Sequence, residues 1–144
     1  MPTVRDVLQG KGRKVHHIGG EASVRDALGV MADNNIGALV VLAEDHLVGI
    51  ITERDYARKI VLKGRTSQGT LVREIMSTKV FCTRLDQTVE ECMAVMTDKS
   101  VRHLPVLDHK RLVGIVSIGD MVKAIIADQK FVIEQLAHYI HGVR

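Results

Sequence analysis

Aromatic side chains are nearly missing from this chain. There is no tryptophan, and Tyr56, Phe81, Phe131 and Tyr139 together make up 3% of the sequence. The core must therefore be built from Val, Ile, Leu, Met and Ala. Binding modes that stack bases on aromatic platforms are disfavoured for the same reason. Cysteine is as scarce: Cys82 and Cys92 are the only two, too few for a disulfide framework or a thiolate zinc ribbon. No apolar run approaches the roughly 18 residues of a membrane span. The start, Met1-Pro2-Thr3-Val4-Arg5-Asp6, lacks the apolar stretch of a signal peptide. A soluble cytoplasmic protein with no membrane partner is the expectation. Charge is mild as well, with a formal net charge of +3. Lys11, Arg13 and Lys14 form one basic cluster and Arg58, Lys59, Lys63 and Arg65 another. Both read as solvated surface and not as the basic stripe of a nucleic-acid binder, although the second can also face a small phosphate ligand.

Signatures of catalysis are missing too. Neither the dinucleotide fingerprint nor the phosphate-loop motif is completed by Gly10-Lys11-Gly12 or Gly19-Gly20. No nucleophile elbow is present. His16-His17 and His138-x-x-His141 have no carboxylate or thiolate partners at ligand spacing. No enzyme, no catalytic cofactor and no metal site is expected. Cys92 and the methionines Met31, Met93, Met96 and Met121 fall at helical spacing and read as core filler.

What the chain does contain is itself, twice. Shifting Ala22–Ile60 by 65 positions lays it on Gln87–Ile125 without a gap, with thirteen identities in thirty-nine positions, among them Val41/Val106, Gly49/Gly114 and Asp55/Asp120. Upstream, Val4–Leu8 matches Val72–Met76 at a shift of 68, so repeat 1 carries three extra residues near Gly10–Arg13. Two copies of one supersecondary unit follow, each of a size that is marginal alone. Each unit reads as β-α-β-β-α. Val15–Ile18 and Val80–Thr83 are short extended segments. Val24, Ala27, Leu28 and Met31, then Val89, Cys92, Met93 and Met96, mark a first helix. Ala38–Leu42 with Leu47–Ile51, and Leu104–Leu107 with Leu112–Val116, are hairpins across polar turns. A second helix carries Tyr56, Ala57, Ile60 and Val61, or Met121, Val122, Ile125 and Ile126. The boundaries are residues 1–64 for repeat 1, 65–71 for a Gly- and Ser/Thr-rich linker, 72–127 for repeat 2 and 128–144 for a C-terminal tail. In the tail, Phe131, Val132, Leu136 and Ile140 predict one more amphipathic helix.

The strand-to-helix junctions hold the candidate chemistry. Thr52-Glu53-Arg54-Asp55 and Ser117-Ile118-Gly119-Asp120 each place an acid three residues after a hydroxyl. This is the spacing of a helix capping box, and Ser23–Asp26 and Thr88–Glu91 share it. On spacing alone it marks a helix start. Context adds a second reading. Free backbone N–H groups and the positive end of the helix dipole favour an anion there. The hydroxyl can donate to a phosphate, and the carboxylate can accept from vicinal ribose hydroxyls. Arg54, Arg102 and His103 stand close by in sequence.

With these residues in place, the chain resembles a tandem pair of CBS domains, the regulatory modules named after cystathionine β-synthase. The resemblance covers about Val4–Ala127. It rests on the unit order, the Val-Gly-Ile-Ile-Thr and Val-Gly-Ile-Val-Ser strand ends, the following Asp55 and Asp120, and Arg102-His103-Leu104-Pro105-Val106. It implies an α/β (α+β) fold: two β-α-β-β-α repeats about a pseudo-two-fold axis, each with a three-stranded sheet on helices. It implies AMP, ADP, ATP, S-adenosylmethionine or NAD(H) as a regulatory ligand in clefts between the copies. Thr52 and Ser117 are then near phosphate, Asp55 and Asp120 on ribose, and Arg102 and His103 on phosphates. His16, His17, Ile18, Leu39 and Val41, and Phe81, Cys82, Thr83, Leu104, Pro105 and Val106, would hold adenine. Repeat 1 departs from the pattern with Gly37-Ala38 where repeat 2 has two basic groups. Either its ligand differs or Arg54 supplies the charge. The implied role is energy sensing and signal transduction without catalysis, in a homodimer that signals to an unspecified protein. The other readings are an interaction adaptor without an obligatory ligand and, last, a nucleic-acid-binding regulator.

Overall fold

The computed structural model describes residues 1–140. The chain has a mixed α/β fold with small sheets packed on helices, and it divides into two compact units. One comprises Lys14–Phe81 with His109–Val113. The other comprises Met1–Arg13, Cys82–Asp108 and the chain from Gly114 onward. The N-terminal helix thus belongs with the second sequence repeat.

The unit built on Lys14–Phe81 contains β1 (His17–Gly19), α2 (Val24–Asn34), β2 (Ala38–Ala43), β3 (His46–Thr52), α3 (Glu53–Tyr56) and α4 (Val72–Ile75). β1 runs parallel to β2, pairing Ile18 with Val41. β3 runs antiparallel to β2 in a sheet of order β1-β2-β3. Val24, Ala27 and Met31 of α2 close over Leu39, Val41 and Ile51 of the sheet, joined by Ile60, Val72 and Ile75. No aromatic is among these buried residues, so the β-branched strands and unbranched helix side chains fill the core as the composition requires. The linker is ordered against this core. The Thr70 and Ser67 carbonyls accept from the Val24 and Arg25 N–H groups at the start of α2, and Thr70 is buried with its hydroxyl bonded to the Thr66 carbonyl.

The other unit contains α1 (Val4–Lys11), α5 (Val89–Lys99), β4 (His103–Asp108), most of β5 (Arg111–Ser117) and α6 (Ile118–Ile140). Val4, Leu8, Val89, Cys92, Met96, Leu104, Val106, Val116 and Met121 are buried. Where a three-stranded sheet was expected, β4 and β5 form a two-stranded one. The Val80–Thr83 strand is reduced to a single parallel bridge, Thr83 to Val106. There the Thr83 N–H donates to the Pro105 carbonyl and the Leu107 N–H to the Thr83 carbonyl. The next rung toward Phe81 would need a donor at residue 105, and proline has none. Repeat 1 has Val40 at the equivalent place and keeps its third strand.

Two further differences from the sequence reading are local. The second helix of repeat 1 is not one α-helix: after α3 the chain widens into a π-helical turn over Ala57–Val61, closed by bonds such as Arg65 N–H to the Ile60 carbonyl at 3.0 Å. The tail is not a separate helix either. Nothing between Ala127 and Asp128 breaks the ladder, and α6 runs for 23 residues to Ile140. The rest of the tail, with His141, lies outside the described residues.

Both hairpins turn through two residues at positive φ, Glu44 and Asp45 at 50° and 64°, then His109 and Lys110 at 49° and 68°. Two left-handed residues in succession match the twist of a hairpin but strain side chains other than Gly, Asn and Asp. Replacing Glu44-Asp45 by Asn-Gly is expected to stabilise the protein by about 1 kcal/mol, read as a rise in the urea midpoint at constant m-value.

Candidate ligand site

In repeat 2, β5 runs directly into α6 at Ser117, and the turn closes on itself. The Ser117 N–H donates to Asp120 Oδ2 at 2.8 Å, and the Asp120 N–H donates to Ser117 Oγ at 3.1 Å. The Ile118 N–H donates to the Arg102 carbonyl at 2.9 Å. This bond brings the Arg102-His103 entry of β4 beside the hydroxyl and the carboxylate, 15 residues away in sequence. A fifth residue arrives from α1. The Lys11 ammonium donates to Asp120 Oδ2 at 2.6 Å and to the Ile115 carbonyl at 2.9 Å. All bonds to the Asp120 side chain fall on Oδ2, and Oδ1 accepts none from the described residues.

The electrostatics follow from this packing. Burial pushes the Asp120 carboxyl up, but the Lys11 hydrogen bond, the Ser117 N–H, the Lys11 charge and the Ser117 hydroxyl together hold it below the usual carboxylate range. Its folded value is depressed, so its contribution to stability is present above the unfolded value of 3.8 and is lost as pH falls through the folded one. His103 is shifted down from 6.5, chiefly by burial, then by the Lys11 charge, with Asp120 opposing and Arg102 adding to the depression. The imidazole is therefore neutral at pH 7. For a histidine lowered on folding, the unfolded chain binds the proton more readily, so stability falls as pH drops below 6.5. His103→Gln is expected to flatten the fall in stability just below that pH. Denaturant titrations of both proteins between about pH 5 and 7 check this.

Repeat 1 builds the same turn with a different counter-charge. The Thr52 N–H and hydroxyl donate to Asp55 Oδ2 at 3.0 and 3.1 Å, and the Asp55 N–H donates to Thr52 Oγ1 at 3.1 Å. The Glu53 N–H donates to the Gly37 carbonyl at 3.1 Å, the counterpart of the Arg102 tie. The cation that meets Asp55 is Lys59, one helical turn on. Its ammonium lies 3.1 Å from Oδ1 and donates to the Ile75 carbonyl at 2.7 Å. Arg54 is exposed. The two turns thus differ: Lys59 lies 3.1 Å from Oδ1 of Asp55, while Oδ1 of Asp120 accepts from none of the described residues.

The residues expected around a base fall into two groups. His16, Ile18, Phe81 and Cys82 are half-buried and His17 is exposed. Lys79 lies 5.8 Å over the Phe81 ring, and burial pushes the Cys82 thiol up. Leu39, Val41, Leu104, Pro105 and Val106 are buried, with their side chains committed to the core. Thr83 is buried too, its hydroxyl bonded to Gln87 and 3.2 Å from the Cys92 sulfur. At these six positions only backbone groups remain for other partners.

In the sequence Lys11 and Lys59 stand in basic clusters that read as solvated surface, the second of which can also face a small phosphate ligand. Lys59 could have been found, because an acid and a lysine four apart on a helix face each other. Lys11 sends no local signal, since its carboxylate is 109 residues away. Beside it, α1 and α6 enclose a cleft of about 730 Å³ whose lining includes Asp6, Lys11, Asp120 and Lys123. Among the described residues no group of three or more His, Cys, Asp or Glu could hold a metal ion, and no helix is long and apolar enough to cross a membrane.

The model of the CBS domain family matches residues 4–62 and again 72–127. The chain belongs to the CBS domain family. Over 149 aligned positions it is 38% identical to the mitochondrial CBS domain-containing protein CBSX3 of Arabidopsis thaliana, covering 97% of this chain and 72% of that one. Among solved structures it resembles a CBS-domain protein from Burkholderia ambifaria described as a putative signal-transduction protein. That match has a TM-score of 0.85 and 48% identity, over 88% of this chain and 96% of the other. It also resembles a CBS domain pair crystallised with 5-methylthioadenosine and S-adenosyl-L-methionine, with a TM-score of 0.79 and 26% identity over 89% and 98% of the two chains. Gly49 and Gly114 occupy equivalent strand positions, and each lies under a side chain in, or just past, the helix that opens the other repeat. A Cβ at Gly49 would meet Met76 just past α4, and one at Gly114 would meet Leu8 of α1.

Proposed function

We propose that this CBS pair is a non-enzymatic sensor of adenosine nucleotides. The observation that carries the reading is the open Oδ1 of Asp120 beside the Ser117 hydroxyl, the start of a 23-residue helix, and three basic side chains, Lys11, Arg102 and His103. Asp120 accepts from the ribose hydroxyls. Ser117, the helix N-terminus, Arg102 and His103 take phosphate. Thr52 and Asp55 play the same parts in repeat 1, less readily because Lys59 already holds Asp55. In repeat 1 adenine lies against backbone of His16–Ile18 and of that repeat's hairpin, and in repeat 2 against backbone of Phe81–Thr83 and of its own hairpin, with Phe81 the one ring near in sequence. The adenosine-type ligands of the related CBS pair support this chemistry. AMP, ADP, ATP and NAD(H) are the candidate ligands, and a bound ligand acts through its different affinity for two states of the module.

A thermal-shift and calorimetry screen with AMP, ADP, ATP, NAD, NADH and S-adenosylmethionine tests the reading. A ligand at 100 times its Kd adds about 2.7 kcal/mol of stability. No shift with any of them overturns it. A homodimer that signals to a protein target in the cytoplasm completes the proposal, and sedimentation of the purified chain tests the dimer. The exposed Phe131, Ile133, Leu136, Tyr139 and Ile140 of α6 favour one other reading, a protein-interaction adaptor. A complex that forms equally with and without nucleotide would establish that reading in place of the sensor.

A further inference from the structure

Resting on the nucleotide reading, we infer that Lys11 is the residue that selects a phosphorylated ligand over its uncharged nucleoside in repeat 2. Three observations meet at this side chain. Its ammonium is 2.6 Å from the carboxylate assigned to ribose, so whatever ribose carries comes within reach of it. An ammonium has three donors. Two are spent on Asp120 and the Ile115 carbonyl, which fix its position and leave the third without an acceptor among the described residues. The side chain is 35% exposed and lines the cleft between α1 and α6, where Lys123 is the second lysine.

Other charges share that cleft. Asp6 and Asp128 also line it, and Asp6 is engaged by the Thr3 N–H and hydroxyl at 2.9 and 3.1 Å. Asp120 is partly neutralised by Lys11 itself. His103 next to the site is neutral at pH 7 and can donate one hydrogen bond but supplies no charge. Arg102 is a second cation at the site but is exposed, whereas the ammonium of Lys11 is held against the ribose acid, and a phosphate on that ribose gives its third donor a charged acceptor. An uncharged nucleoside offers no such acceptor. Tethering by two acceptors lowers the entropy lost when the third bond forms. Lys59 of repeat 1 is held in the same manner but sits on the oxygen that ribose needs, so it blocks where Lys11 recruits.

Calorimetry on the full chain with AMP and, separately, with adenosine tests this, using wild type, Lys11→Met and Lys11→Arg. Lys11→Met is expected to weaken AMP by about tenfold or more, the scale of one charge-assisted hydrogen bond. Adenosine should change by less than about threefold, and Lys11→Arg should restore most of the AMP affinity. Thermal melts confirm that each variant is folded, and Lys11→Gln substitutes if Lys11→Met is not. Equal losses for AMP and adenosine make Lys11 a structural tether and overturn the inference, as does no loss for either. A wild type that binds neither compound overturns the nucleotide reading itself, and the role of Lys11 with it.

Discussion

Asp120→Ala is expected to lower nucleotide affinity by about a hundredfold, because one carboxylate accepting two ribose hydroxyls is worth roughly 3 kcal/mol of charged hydrogen bonding. The stability cost is much smaller. The variant loses the acceptor of the Ser117 N–H in a capping box and the partly exposed Lys11 pair. A cap is worth about 1 kcal/mol and an ion pair of that exposure adds less. The Lys11 ammonium keeps the Ile115 carbonyl. Binding and stability therefore separate, and calorimetry alongside urea melts resolves them. Asp55→Ala makes the natural control. It breaks the same kind of box, but Lys59 covers Oδ1 of Asp55, so its effect on affinity is expected to stay below about tenfold. If Asp120→Ala binds AMP within about threefold of wild type, the turn is a helix cap and nothing more.

Gly49→Val is expected to destabilise the chain by about 3 kcal/mol, near the upper end for an overpacked site. A Cβ at residue 49 would stand 2.6 Å from Met76 Sδ and 3.0 Å from the Ser77 carbonyl oxygen. The sulfur can move, but the carbonyl cannot without loss. It belongs to the pair of backbone bonds that join Ser77 and Ile50 at 2.9 and 3.0 Å. The clash thus opens the seam that holds the segment after α4 against β3. At Gly114 the nearest atoms to the added carbon all belong to the Leu8 side chain, its two methyls at 2.9 Å and Cγ at 3.5 Å. Gly114→Ala is accordingly the milder change, at about 1 kcal/mol. Thermal unfolding checks both, with a drop of roughly 10 °C for Gly49→Val. A drop for Gly114→Ala as large as that for Gly49→Val would show that the Leu8 contact yields less easily than the backbone at Ser77.

How far the sequence could be read depended on whether a feature is local. The repeat, the unit order, the hairpins and the four capped helices follow from apolar periodicity and cap spacing, which act over a few residues. The strand lost from repeat 2 was also written in the chain, at Pro105, yet its consequence appears only when the partner of that residue is known. The π-turn after α3 and the unbroken run of α6 into the tail escaped because spacing marks where helices begin better than how they continue.

The site divides in the same way. Thr52, Asp55, Ser117 and Asp120 could be named from the sequence because hydroxyl and carboxylate lie one turn apart at a strand end. The sequence by itself also determined that this is a CBS pair, that its core is aliphatic, and that the two repeats differ at Gly37-Ala38 against Arg102-His103. Which cation meets which carboxylate was decided by tertiary structure alone. Lys11 reaches Asp120 across 109 residues because α1 packs in the unit of repeat 2, while Lys59 reaches Asp55 from the next turn. The open oxygen of Asp120 and the covered one of Asp55 follow from that difference. An ion pair depends on distance in space, and distance along the chain carries no record of it.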